Sequence, residues 1–148
     1  MKKSQTIKSL VTIFLFILPF LTHYYFPVKI IIKKPYTYLG ILFILAGIIL
    51  SIKTSRMFRE AGNHFDLKSE SVTLMTSGIF CYSRNPMYLG VLFWFIGLAI
   101  LLGSLVSFLY PVLFFIIANV MIIYEESKLT QIYNDEYINY QRRVRRWF

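Results

Sequence analysis

One cysteine, two histidines and seven acidic residues in 148 positions leave little material for metal or disulfide chemistry. Cys81 alone excludes an internal disulfide and any Cys-rich metal site. His23 and His64 fall on opposite sides of the membrane in the topology derived below, so no metal site is expected. The chain has no internal repeat, no low-complexity tract, no glycine-rich dinucleotide fingerprint and no room for a second domain. Acid is also too scarce to balance sixteen Lys and Arg, leaving a net charge of +9. These basic residues flank apolar runs and form no isolated patch, so anionic lipid headgroups are the expected counter-charge and nucleic acid is not.

What the chain does have is apolar length. Apolar residues make up 57% of it and gather in four runs, Ser9 to Phe26, Tyr36 to Ile52, Met87 to Leu102 and Leu105 to Tyr124. Each approaches the roughly 20 residues that a helix needs to cross a bilayer, with the second and third at the short limit. The expectation is an all-α membrane protein of four transmembrane helices with a cytoplasmic re-entrant or loop segment and an amphipathic carboxy-terminal helix. The first run follows Lys2, Lys3 and Lys8, as a secretory signal would. His23, Tyr24, Tyr25 and Phe26 stand where a small-residue cleavage site belongs, so it reads as a retained anchor. Four spans put thirteen Lys and Arg on the side of the termini and of the segment Lys53 to Asn85, against Lys29, Lys33 and Lys34 on the other. The positive-inside rule then makes both termini cytoplasmic.

The loop Pro27 to Pro35 is short enough to pair the first two spans antiparallel, and Gly103 with Ser104 makes a minimal turn between the last two. Lys53 to Ala61 should extend the second span as a charged helix until Gly62 and Asn63 stop it. From Ser127 to Trp147, Leu129, Tyr133, Tyr137, Tyr140 and Val144 recur every three or four residues. That spacing predicts one helix whose aromatic stripe lies on the membrane surface or covers something.

Chemistry concentrates at Met75 to Gly90, MTSGIFCYSRNPMYLG, a polar and aromatic turn at the mouth of an apolar run. Pro86 suits the first turn of a helix, where its missing N–H costs nothing, and Asn85 suits the cap. Free N–H groups at that end attract an anion such as a ligand carboxylate. Glu125 and Glu126 follow directly on the last apolar run, where an incompletely hydrated carboxylate wants a cation. The short turn at Gly103 brings Arg84 within plausible reach of either. Singly, each feature has a bland account as boundary arginine, ordinary cap or interfacial aromatic.

Together, AGNHF, TLMTSGIF and RNPMYLG between Ala61 and Gly90, with Glu125, Glu126, Leu129, Tyr133, Asn134, Tyr137, Tyr140, Val144, Arg146 and Trp147, resemble the isoprenylcysteine carboxyl methyltransferase family. Phospholipid N-methyltransferases belong to the same broader superfamily. The resemblance implies one membrane domain over 1–148, with cofactor-pocket segments 61–90 and 121–147, that binds S-adenosyl-L-methionine. Its methyl would pass to a lipophilic small-molecule or lipidated acceptor. By position the family's cofactor contacts fall on Thr73, Leu74, Met75, Phe80, Asn85, Pro86, Met87, Tyr88 and Glu125. An amino acid end suits helix-terminus N–H groups and a carboxylate, adenine suits an aromatic wall, and a sulfonium suits aromatic faces.

Three positions depart from the family pattern: Asn85 for histidine, Asn134 for glycine, and Met121 for an arginine associated with substrate in eukaryotic members. With that arginine missing, Arg84 or Arg146 is the expected substrate-binding group. Arg84, Glu125 and Glu126 are the expected catalytic set, with Glu125 holding the cofactor and Arg84 orienting the acceptor. A carboxylate acceptor needs no base, whereas an ammonium acceptor would have to lose a proton to Glu125, Glu126 or a tyrosine. Phospholipid N-methylation, a non-catalytic membrane interaction role and a sterol-reductase-like redox role stand as alternatives.

Overall fold

The computed structural model describes residues 17–26, 29–62 and 73–148. Helix α1 is described over residues 17–25. It is followed by α2 (Leu39–Glu60), α3 (Pro86–Leu102), α4 (Leu109–Tyr133) and α5 (Asp135–Arg143). Short 3-10 turns lead into α2 at Tyr36–Tyr38 and into α4 at Leu105–Phe108, and another covers Gly78–Cys81. Among the described residues there is no strand; an isolated antiparallel bridge joins Ile30 to Ser104. The first half of the predicted anchor and residues Asn63, His64 and Phe65 lie outside the described residues.

Tyr36–Glu60 and Leu105–Tyr133 are long and apolar enough to cross a membrane, and α3 is a shorter apolar helix. Their bulky side chains point outward: Ile41, Leu42, Leu45, Ile48 and Ile49 on α2, and Val112, Leu113, Ile116, Ile117, Val120 and Ile123 on α4, are all exposed. An apolar surface this continuous suits lipid, not water.

The inward face of α2 is built from absence of side chain. Gly40 and Gly47, seven residues apart, meet Gly97 and Gly90 on the antiparallel α3, also seven apart. A Cβ on Gly97 would stand 2.6 Å from the Gly40 carbonyl oxygen, and one on Gly47 would stand 2.8 Å from the Trp94 nitrogen. Backbone therefore packs on backbone, the close approach that small residues permit between membrane helices. This seam aligns the polar carboxy-terminal extension of α2 with the amino end of α3. The extension runs to Glu60, where Ala61 and a left-handed Gly62 end it as predicted.

At the other end Gly103, with φ of 67°, terminates α3. Its carbonyl accepts the Ile31 and Ile32 amides at 2.8 and 3.1 Å, and the buried Ser104 and Ser107 hydroxyls pair at 2.6 Å. The segment leading into α2 is thus fastened to the α3–α4 turn. Tyr110 and Thr22 join their hydroxyls at 2.8 Å, linking α4 to α1.

The carboxy-terminal segment corrects one expectation. Ser127 to Trp147 is not a single helix: α4 runs unbroken from Leu109 to Tyr133, Asn134 turns the chain with a φ of 44°, and α5 spans nine residues. Asn is among the few side chains that tolerate such a backbone. Asp135 and Glu136 open α5 and Arg142 and Arg143 close it, matching its dipole. Beyond Val144 the chain leaves the helix in extended conformation and returns past Arg84 to the sides of α3 and α4.

Candidate active site

All nine residues expected to contact a cofactor, Thr73, Leu74, Met75, Phe80, Asn85, Pro86, Met87, Tyr88 and Glu125, line one cavity of about 230 Å³. Arg84 and Glu126 line it as well, and the wall is completed by Thr54 and Phe58 from α2, Leu129 from α4, and Tyr137 and Tyr140 from α5. Leu129, Tyr137 and Tyr140 fall within the expected pocket segment 121–147, though not singled out there as site residues, whereas Thr54 and Phe58 lie outside both expected segments. Thr54 was findable, since it lies seven residues beyond Gly47 and is buried on the same face of α2.

Pro86 opens α3 as its first residue, with Asn85 at the cap position. The Asn85 side chain makes no cap bond, which corrects the expected capping role. Its Nδ2 instead donates to the Arg146 carbonyl at 3.2 Å, while its own amide donates to Ser83 Oγ at 3.2 Å. The first amides of α3 are thereby left without a side-chain acceptor at the edge of the cavity.

Adjacent residues of a helix point about 100° apart, and the two glutamates divide accordingly. Glu125 accepts the Tyr88 hydroxyl at 2.7 Å. Glu126, buried, is shared by two guanidinium groups: Arg84 Nη2 lies 3.2 Å from Oε1, and Arg146 Nη2 lies 2.7 Å from Oε2 with its Nε on Oε1 at 3.4 Å. The sequence brought Arg84 toward either glutamate; the structure pairs it with Glu126. Arg146 does not join the residues lining the cavity, because Glu126 holds its fork from behind the wall. Met121 is about half exposed on the outer face of α4 and is not in the cavity lining.

The tail behind this ion triad is sewn down by backbone and side chain alike. Arg84 N–H donates to the Arg145 carbonyl at 3.1 Å and Ser83 Oγ to the Arg146 carbonyl at 3.3 Å. Trp147 lies against Phe115 with ring centres 5.1 Å apart and donates its indole N–H to Asn119 Oδ1 at 3.2 Å, while Phe148 sits 6.2 Å from Phe93. Tyr140 closes the other side by donating to the Phe80 carbonyl at 2.7 Å.

Burial, and next the Glu126 carboxylate, push the Tyr137 phenol up to about 12. Burial, with Tyr137 beside it, also raises Tyr140. Both stay protonated at neutral pH, so neither rests as a base. Both Glu126 oxygens face guanidinium groups. Of the acids and tyrosines considered as a base, Glu125, with Tyr88 on one of its oxygens, is the carboxylate without an arginine partner.

Residues 35–136 match the family model described as phospholipid methyltransferase. The chain belongs to that family. Among individual relatives, this family member is 30% identical over 111 residues to protein-S-isoprenylcysteine O-methyltransferase of Mus musculus, covering 71% of this chain and 38% of the relative. It is 35% identical over 72 residues to the protein of that name from Schizosaccharomyces pombe, covering 48% of this chain and 30% of the relative. The chain therefore spans well under half the length of these relatives. Its fold matches that of the eukaryotic intramembrane Ras methyltransferase, isoprenylcysteine carboxyl methyltransferase, with a TM-score of 0.71 at 23% identity, over 97% of this chain and 52% of that one.

Proposed function

We propose that this chain transfers a methyl group from S-adenosylmethionine to the carboxylate of a prenylated acceptor at the cytoplasmic membrane face. The observation that carries the reading is the convergence of the expected cofactor residues, from Thr73 to Tyr88 and from the distant Glu125, on one cavity. Methyltransferase relatives support the same class.

The cavity suits the cofactor in kind. Phe58, Phe80, Met75 and Met87 offer an apolar and aromatic wall, and the uncapped amides of α3 suit a carboxylate. Glu125, oriented by Tyr88, suits an ammonium group. When bound, S-adenosylmethionine would supply an electrophilic methyl group on a cationic sulfonium. This chain's residues would align the partners and keep water out, with Tyr137 and Tyr140 closing the cytoplasmic side. Arg84 would hold the acceptor carboxylate, in the role that Met121 cannot serve.

The orientation follows the charge: among the described residues, nine basic residues on the cavity side against Lys29, Lys33 and Lys34 toward the Ile30–Ser104 end support both termini being cytoplasmic, as four spans require. Calorimetric titration with S-adenosylmethionine, and with NADPH as control, tests the cofactor. Wild type should bind the first in the micromolar range, and Glu125→Ala should weaken it at least tenfold, about 1.4 kcal/mol. Binding of NADPH alone, or of neither by folded protein, would sink the reading. Arg84→Ala should cut methyl transfer to a prenylcysteine acid at least about tenfold; full transfer would remove its assigned role.

A further inference from the structure

We propose that Arg146 is a positioning residue: by engaging both oxygens of Glu126 it keeps Arg84 from a two-pronged pair and leaves it with a net positive charge to present to an anionic acceptor in the cavity. The inference rests on the methyltransferase reading and adds to it the group that makes the cavity selective for a carboxylate. Three observations combine. Glu126 is buried, and Arg146 engages both of its oxygens, Oε2 at 2.7 Å and Oε1 at 3.4 Å, while Arg84 meets Oε1 alone, at 3.2 Å. Arg84 lines the cavity with its side chain only 10% exposed, and its Nε is buried with no hydrogen-bond partner among the described residues. Arg146 is not among the residues lining the cavity, and its guanidinium is held by Glu126, which is.

Two guanidinium groups share one carboxylate, so the triad carries one surplus positive charge. Arg146 is about a third exposed and partly screened by solvent. Arg84 is enclosed, so the charge acts there at low dielectric. Without Arg146, both oxygens of Glu126 are open to Arg84, and a guanidinium takes a free carboxylate in a two-pronged pair. Such a pair is neutral and turns the Arg84 fork away from the cavity. The tail thus acts on the acceptor at a distance, through the carboxylate that it satisfies.

The test uses the full chain in detergent, titrated calorimetrically with an N-acylated S-prenylcysteine and with its methyl ester. The readout is the ratio of the two dissociation constants, which a merely structural loss would not move. Wild type should prefer the acid. Arg146→Ala should lower that preference about tenfold, and Arg146→Lys, which keeps a charge on Oε2, should stay within about threefold of wild type. The double variant Arg146→Ala/Glu126→Gln should recover most of the preference, because no carboxylate remains to capture Arg84. A double variant as poor as Arg146→Ala means that Arg146 contacts the acceptor itself and overturns the inference. So does Arg146→Ala with unchanged preference, or Arg146→Lys as poor as alanine; this last comparison decides alone if the double variant does not fold. Wild type that binds S-adenosylmethionine but shows no preference for the acid overturns this inference only, whereas wild type that fails to bind S-adenosylmethionine overturns the methyltransferase reading.

Discussion

Glu126→Ala should destabilise the protein by about 3–5 kcal/mol, the cost of removing one partner from a buried ion cluster. Two positive charges would be left facing each other with no carboxylate between them. The arms are unequal. Arg146, with 35% of its side chain exposed, can turn to water and contributes little of the loss. Arg84 has 10% exposure, its backbone is held by Arg145, and its guanidinium must stay where it is. Thermal unfolding in detergent, followed by limited trypsin digestion, measures both consequences. The midpoint should fall, and cleavage at Arg142, Arg143 and Arg145 should accelerate as the tail lifts. An unchanged midpoint with unchanged digestion would mean that the triad does not hold the tail.

Gly47→Leu is expected to cost about 3 kcal/mol or more, at the upper end of overpacking penalties. A Cβ there meets the Gly90 carbonyl and stands 2.8 Å from the Trp94 nitrogen. Both obstacles are backbone, so no rotamer change relieves them and the helices must separate. Separation displaces Thr54 and Phe58 from Pro86 to Tyr88, so cofactor binding should fall along with stability. Ala46→Leu, one residue earlier on the exposed face of α2, should be nearly neutral. Equal melting temperatures for the two variants would refute the seam as the element that fixes α2 on α3.

Local chemistry was readable where the chain states it locally. Pro86 marked the start of α3, Gly103 its end and Gly62 the stop of α2, each because a backbone conformation demands that residue. That Thr73 to Tyr88 and Glu125 would share one cavity was readable because their residue types and spacing recur in a known family. The break at Asn134 was not. The three- and four-residue spacing of Leu129, Tyr133, Tyr137 and Tyr140 continues through it, and periodicity reports which residues share a face, not whether the axis bends. The separate fates of Glu125 and Glu126 needed the third dimension, as did Arg146 lying behind the wall and not in it. The glycine seam left a signal, a seven-residue repeat on two runs. It is hidden from any reading that scores hydrophobicity, because glycine adds almost nothing to such a score.

That seam also determines where this sequence is free to drift. Along α2 the outward positions Ile41, Leu42, Leu45, Ile48 and Ile49 touch no protein core and accept exchange among apolar residues. The glycines between them accept none, because each faces a carbonyl or amide instead of a side chain that could shrink in compensation. A saturation scan of α2 should therefore return long tolerant stretches broken by single intolerant positions seven apart. Paired rescue across the helices, the usual signature of contact in covarying sequences, should be missing there, so the tightest contact in the fold would leave the faintest coevolutionary trace.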